Sequence, residues 1–194
     1  MSFRLGLTGG IGMGKSTASQ MFRDLGHPVW DADAAVHDLY APGGAAVAPV
    51  AAAFAGTMCD GGIDRAALRQ ALAADPAGFQ RLEAIVHPLV AAERADFIAR
   101  QADTPIVVLD IPLLYETGAE RGMDGVAVVS APPAIQRARV MARPGMTEEN
   151  FRLILSRQMP DSEKRKRADW VIPSDTMDGA RAAIMDICAA IMAG

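Results

Sequence analysis

The stretch Leu7-Thr8-Gly9-Gly10-Ile11-Gly12-Met13-Gly14-Lys15-Ser16-Thr17 constrains this chain more than any other. It carries G-x-x-x-x-G-K-[ST], with Gly9, Gly14, Lys15 and Ser16 at the fixed positions. The string has its mechanism only between a strand and a helix. Upstream, Phe3-Arg4-Leu5-Gly6-Leu7 alternates as a strand does. Downstream, Ala18, Met21, Phe22 and Leu25 recur at helical spacing as far as Gly26, a candidate C-cap. In that setting the glycines let consecutive backbone N–H groups converge on one point, at the positive end of a helix dipole, and the result is a cradle for phosphate. The alternative is a glycine-rich turn before an ordinary helix. As a phosphate loop, Gly10, Ile11, Gly12, Met13, Gly14, Lys15, Ser16 and Thr17 form the nucleotide-binding segment. Lys15 then reaches the β/γ-phosphates, and the Ser16 hydroxyl ligates Mg²⁺.

What surrounds the loop follows from size and charge. With 194 residues, 51% of them hydrophobic and 22% charged, the chain has room for a single α/β domain with insertions and is too apolar for extended disorder. A net charge of −4 gives no general reason to expect nucleic acid as a partner. Cys59 and Cys188 lack metal-ligand spacing, and the first strand runs directly into the glycines with no leader before it, so reduced thiols in a cytoplasm are expected. The longest apolar run, residues 45–55, is interrupted by Pro49 and is too short to span a membrane.

After the first helix, Pro28-Val29-Trp30 reads as a second strand that delivers Asp31 and Asp33 to its C-terminal end, the edge where open α/β sheets bind ligands. Asp33 either caps the next helix or activates an acceptor hydroxyl. Beside a phosphate loop the second role is the better match. From Asp33 to about Gln101 the chain then reads as helical and alanine-rich, broken at Pro42-Gly43-Gly44, at Asp60-Gly61-Gly62 and near Asp75-Pro76, with Asp64 a candidate cap. That is longer than a crossover needs, so it reads as a substrate-binding insertion. Proline disfavours α conformation in the residue before it, which predicts a bend at His87-Pro88.

Pro105 to Asp110 is the clearest buried strand, four aliphatics ending in a carboxylate that helps hold Mg²⁺. Ile111-Pro112-Leu113-Leu114-Tyr115-Glu116 follows as an apolar wall ending in an acid. Residues 125–129 and 169–172 read as further strands, and 177–192 as a closing helix. Between them, residues 137–167 hold nine basic residues against four acids. Pro144-Gly145-Met146 splits this stretch into two helices, with Thr147 as N-cap of the second. Such a hairpin resembles a mobile lid over a triphosphate, and Arg143 at its tip is the candidate arginine.

Taken together, the glycine loop, Asp31-x-Asp33, His87-Pro88, Asp110-Ile111-Pro112-Leu113-Leu114-x-Glu116, Gln158-Met159-Pro160 and Ala168-Asp169-x-Val171-Ile172 resemble, in order and spacing, the dephospho-coenzyme A kinases. The resemblance covers essentially the whole chain. It implies a P-loop NTPase-like five-stranded parallel sheet flanked by helices, in one domain. The core would be residues 1–33, 104–133 and 168–194, with a helical acceptor-binding insertion at about 34–103 and a helical lid at about 134–167. It also implies ATP and Mg²⁺ as cofactors and dephospho-coenzyme A as the partner whose ribose 3′-hydroxyl is phosphorylated. Asp33 would be the base, Lys15 and Arg143 the phosphoryl-stabilising groups, and Ser16 and Asp110 the metal ligands. Asp33, His87, Pro88, Leu113, Leu114 and Glu116 would be the acceptor contacts. Three positions depart from the family pattern. Met13 stands where a small residue is usual, Ser174 where Asn is common, and Leu89-Val90-Ala91 where an Arg often follows His-Pro.

Other functions remain open on these residues. Another small-molecule or nucleotide kinase would share the loop. A guanine-nucleotide switch would need an Asn-Lys-x-Asp string, which the chain lacks. Nucleic acid binding through the basic segment would show steep salt dependence.

Overall fold

The computed structural model describes residues 2–194. In chain order its elements are β1 (Phe3–Thr8), α1 (Lys15–Asp24), β2 (Val29–Asp31), α2 (Ala32–Tyr40), α3 (Val47–Ala53), β3 (Met58–Cys59), β4 (Gly62–Ile63), α4 (Arg65–Ala73), α5 (Gly78–Arg100), β5 (Ile106–Asp110), a 3₁₀ turn (Ala119–Gly122), β6 (Gly125–Ser130), α6 (Pro133–Met141), α7 (Glu148–Ser156), α8 (Asp161–Arg167), β7 (Trp170–Pro173) and α9 (Met177–Ala193). They divide into two units, one reaching to Trp30 and resuming over Gln101–Gly194, the other Asp31–Arg100.

The first unit is built on a five-stranded sheet of order β2-β5-β1-β6-β7. β1 pairs in parallel with β5 on one side and β6 on the other, and β7 lies parallel to β6. Ala18, Met21 and Phe22 of α1, with Ala180, Ile184 and Ile187 of α9, pack on Leu5, Leu7, Ile106, Val108, Ala127 and Val129. The alternate residues Val107, Leu109, Val126 and Val128 are buried too, so both faces of the central strands are covered. That double burial is why the strands read as unbroken aliphatic runs. Phe22, with none of its surface exposed, marks the depth of this core. Truncating such a residue to Ala costs about 3–5 kcal/mol.

Two expectations are corrected in the second unit. Asp60-Gly61 does not merely interrupt helix: with φ of 50° and 81° these residues form the two-residue turn joining β3 to β4, a geometry that glycine adopts readily. Nor does His87-Pro88 break the helix, since α5 runs through Pro88. Leu82, Ile85 and Val86 before the proline and Leu89 and Val90 after it pack into one cluster with Leu39, Val50, Phe54, Leu68 and Leu72. A break would pull one set out of that cluster. Ala84, His87 and Pro88 are exposed, so the carbonyl deprived of its helical donor by the proline lies on the solvent side. Asp64 does cap α4, accepting from the N–H groups of Ala66 and Ala67 at 2.7 and 3.2 Å.

The basic segment forms three helices, α6, α7 and α8, where the sequence suggests two. Thr147 caps α7 as expected, its hydroxyl accepting from Asn150 N–H at 3.2 Å. α8 packs on β6, and its Lys164 is wholly buried, so this last basic stretch is part of the sheet's covering.

Candidate functional site

β1 ends at Thr8 and the chain passes through Gly9–Gly14 into α1. Gly14 is the helix's N-cap at φ 90°, in the left-handed region, and no side chain caps the helix. The N–H groups of Lys15, Ser16 and Thr17, which an α-helix cannot satisfy internally, have no partner among the described residues. Gly12, at φ 74°, is needed on a second count: a Cβ there would lie 2.5 Å from Val140 Cγ2, so only glycine lets α6 approach. The Ser16 and Thr17 side chains are exposed. A run of unpartnered donors at a helix N-terminus is a site for a phosphate group.

Sheet register sets the acid beside this loop. Leu7 pairs with Asp110, so the end of β5 lies level with the start of the glycines. Asp110 is 1% exposed, and its two oxygens accept from the Lys15 ammonium and the Ser19 hydroxyl. The Lys15 side chain is 16% exposed. The lysine expected to stand open toward phosphate is thus held by a carboxylate, and Ser19, one helical turn beyond, completes the arrangement.

Two members of the expected nucleotide-binding segment have committed backbone donors. Ile11 N–H donates to Gln158 Oε1 at 3.0 Å, and Met13 N–H to Gly10 O at 3.1 Å. Met13 is instead a packing residue, 2% exposed, whose Sδ accepts from Ala131 N–H at 3.1 Å. Its carbonyl accepts from the Ser174 hydroxyl at 2.5 Å. Arg139 donates to the carbonyl and hydroxyl oxygens of that same Ser174 at 2.6 and 3.1 Å. Gly12, Gly14, Thr17, Arg139, Ser174 and Met177 line a cavity of about 180 Å³ beside the loop. Arg139 was indistinguishable by sequence from its basic neighbours; only the cavity singles it out. Arg143 is exposed, and its side chain makes no hydrogen bond or ion pair among the described residues.

The acceptor candidates separate on inspection. Leu113 is 39% exposed, but Leu114 is wholly buried and cannot line a binding wall. Glu116 is also committed, accepting from Met159 N–H at 2.7 Å and from Lys164 Nζ at 2.9 Å. Burial alone would raise its pKa. The Lys164 hydrogen bond and the Met159 N–H outweigh that and hold it below the ordinary glutamate value. In the second unit, Asp31 caps α2 by accepting from the N–H groups of Asp33 and Ala34 at 2.9 and 3.0 Å. The cap that the sequence allowed for Asp33 is thereby filled by its neighbour, and Asp33 is an exposed carboxylate in the first helical turn. His87 and Pro88 are exposed on α5.

Among the described residues, no group of three or more His, Cys, Asp or Glu side chains could hold a metal ion. At the loop, Ser16 offers an exposed hydroxyl, and β1–β5 register sets the Asp110 carboxylate level with the start of the glycines. That donor set fits Mg²⁺, which usually takes one or two protein oxygens and completes its shell with water and substrate phosphates.

A central β1 that leads straight into an uncapped glycine loop, with β5 setting an aspartate level with it, defines a protein of the P-loop NTPase-like class. A family model described as Dephospho-CoA kinase matches residues 3–178. The Dephospho-CoA kinase of Cereibacter sphaeroides is 58% identical, with 97% of this chain and 95% of that protein covered. The one from Ruegeria pomeroyi is 57% identical over 100% of this chain and 98% of its own. A solved Thermus thermophilus structure has TM-score 0.85 and 34% identity, covering 100% of this chain and 99% of that one. The chain belongs to the dephospho-CoA kinase family.

Proposed function

We propose that this chain transfers the γ-phosphoryl group of ATP to the ribose 3′-hydroxyl of dephospho-coenzyme A, giving coenzyme A and ADP, the last step of coenzyme A synthesis. Family membership over nearly the whole chain carries the reading of the reaction. The uncapped α1 N-terminus supports the placing of ATP. Gly12, Gly14, Lys15, Ser16 and Thr17 are then the phosphate donors, and Arg139 and Ser174 border the adenosine side. Ser16 and Asp110 would hold Mg²⁺, which offsets charge on the phosphates.

Lys15 and Arg143 stabilise charge on the phosphoryl group as it passes from the leaving ADP oxygen to the acceptor oxygen. Asp33 accepts the hydroxyl proton, a role open to it because Asp31 already caps α2. His87, Pro88 and Leu113, all exposed, are the acceptor contacts that remain. The mobile lid narrows to α6 and α7.

Of the nine basic residues, Arg137 and Arg152 are paired with Glu148, Lys164 with Glu116 and Lys166 with Glu163, and Arg139 is bound to Ser174, which leaves fewer free cations for a nucleic acid surface than the sequence suggests and supports a lid. No helix among the described residues is long and apolar enough to cross a membrane. The unpaired Cys59 and Cys188 support a cytoplasmic location.

The test is ADP release measured with dephospho-coenzyme A, adenylate and shikimate as acceptors. Turnover with dephospho-coenzyme A alone is the expected result. Preference for either of the others would move the assignment to another small-molecule kinase.

A further inference from the structure

Two side-chain amides take hold of both polar backbone atoms of one loop residue. Ile11 N–H donates to Gln158 Oε1 at 3.0 Å, and Gln136 Nε2 donates to Ile11 O at 2.8 Å. The roles cannot be exchanged, because a peptide N–H only donates and its carbonyl only accepts, so the backbone itself dictates how each amide is turned. Gln136 lies on α6 and is 8% exposed; Gln158 follows Arg157, the C-cap of α7. They are the two feet of the α6–α7 hairpin whose tip carries Arg143.

The neighbouring Gly10 lies against both amides. A Cβ on Gly10 would lie 3.4 Å from Gln158 Oε1 and 3.5 Å from Gln136 Nε2. The second foot is itself anchored, since the next residue, Met159, donates to Glu116, which is also bound by buried Lys164.

We infer that Gln136 and Gln158 are positioning residues for phosphoryl transfer, a clamp that fixes the tip of the glycine loop to the base of the α6–α7 hairpin. Neither amide touches the phosphates in this role. A loop with glycine at positions 9, 10, 12 and 14 has an unusually large backbone entropy to lose when it closes on a nucleotide. Holding Ile11 at both its atoms removes part of that loss beforehand and keeps the free N–H groups aimed at one point, which is the condition for electrostatic preorganisation. The same clamp makes the hairpin pivot about fixed feet, so that Arg143 swings on an arc referred to the loop. The inference rests on the reading that the loop binds the phosphates of ATP.

The test uses Gln136→Met and Gln158→Met, which keep the length and packing of the side chain and delete the hydrogen bond. Each is expected to lower kcat/KM for ATP by about 3- to 10-fold, the worth of one such bond. The KM for dephospho-coenzyme A should hold, and melting should shift by no more than a few degrees. In the double variant the loss should be smaller than the product of the two, because releasing one atom of Ile11 already frees the loop. ATP kinetics unchanged in the double variant, or a loss that appears equally in the KM of the acceptor, would overturn the clamp. Lys15→Ala serves as the control. If it is inactive while the double variant is normal, only the clamp falls. If Lys15→Ala turns over normally, the phosphate-loop reading falls and takes the clamp with it. Gln158 is only half-buried, so its variant carries the test should Gln136→Met fold poorly.

Discussion

The Lys15 ammonium donates to Asp110 Oδ1 across 95 residues of chain, joining the first turn of α1 to the end of β5. The pairing is a direct product of register, since β1 and β5 run side by side with Leu7 opposite Asp110. It gives the loop lysine a second task besides binding phosphate. It compensates a carboxylate that is 1% exposed and that also accepts from the Ser19 hydroxyl.

Lys15→Ala is therefore expected to do more than remove transfer. It takes the Lys15 ammonium away from the buried Asp110, a change that costs about 3–5 kcal/mol in a fully buried pair and less here, because Lys15 reaches solvent. Adding Asp110→Asn should restore much of the melting temperature and none of the turnover. Thermal melting beside a coupled ADP assay checks both, and a Lys15→Ala protein that melts like the parent would remove the structural half of this account.

Asp33→Asn should leave stability unchanged, because the capping oxygen belongs to Asp31. Turnover should fall by about 10² to 10⁴, toward the lower figure because phosphoryl transfer leans on positioning more than on proton removal. Asp31→Ala should do the reverse, losing about 1 kcal/mol of stability through the cap while keeping most of kcat. Collapse of turnover in Asp31→Asn, with Asp33→Asn active, would transfer the role.

Lys164 and Glu116 form an unequal pair, wholly buried on the lysine side and 17% exposed on the glutamate side. Glu116→Gln strands an ammonium with no route to water, so its stability loss should reach about 3–5 kcal/mol. Lys164→Met leaves a carboxylate that still reaches solvent and Met159 N–H, and it should cost clearly less. The pH dependence follows from the lowered pKa of Glu116. The pair's contribution is present in full above the ordinary glutamate value and is lost as pH falls through the lowered one. The stability difference between the parent and Glu116→Gln should hold from neutral pH to about 5 and shrink below about 4. Denaturant melts across that range would show it, and a gap that widens toward acid would contradict the assignment.

Arg139 and Arg143 should separate kinetically. Arg139 is fixed on Ser174 at the cavity beside the loop, so Arg139→Ala is expected to raise the KM for ATP several-fold. Arg143, exposed at the hairpin tip, acts only on closure, and Arg143→Ala should lower kcat with little change in ATP affinity. Nucleotide titration and steady-state rates on both proteins decide the matter, and a silent Arg143→Ala would show that the tip arginine is not the one that engages.

How much of this was legible beforehand depends on the range of the interaction. Strand, glycine loop and first helix are specified within a dozen residues by alternation, φ requirements and helical spacing, and the sequence alone sufficed for them. So did the caps at Asp64 and Thr147, each a side chain meeting a backbone N–H two or three residues on. The aliphatic run of β5 announced a buried parallel strand because covering both faces leaves no polar alternation to read.

What the tertiary structure decided is where long-range partners are used up. Pro88 stays inside a helix because burial on both sides of it outweighs a local penalty. Asp31 rather than Asp33 became the cap because α2 begins at Ala32, directly after β2, which places Asp33 inside the first helical turn. Leu114 and Glu116, alike in sequence to a binding wall, are consumed by the core and by Lys164. Lys15, Gln136 and Gln158 acquired their partners only when sheet and helix packing brought distant segments together. A hydrogen bond is set by angstroms, and no periodicity along one chain encodes a contact between residues far apart on it.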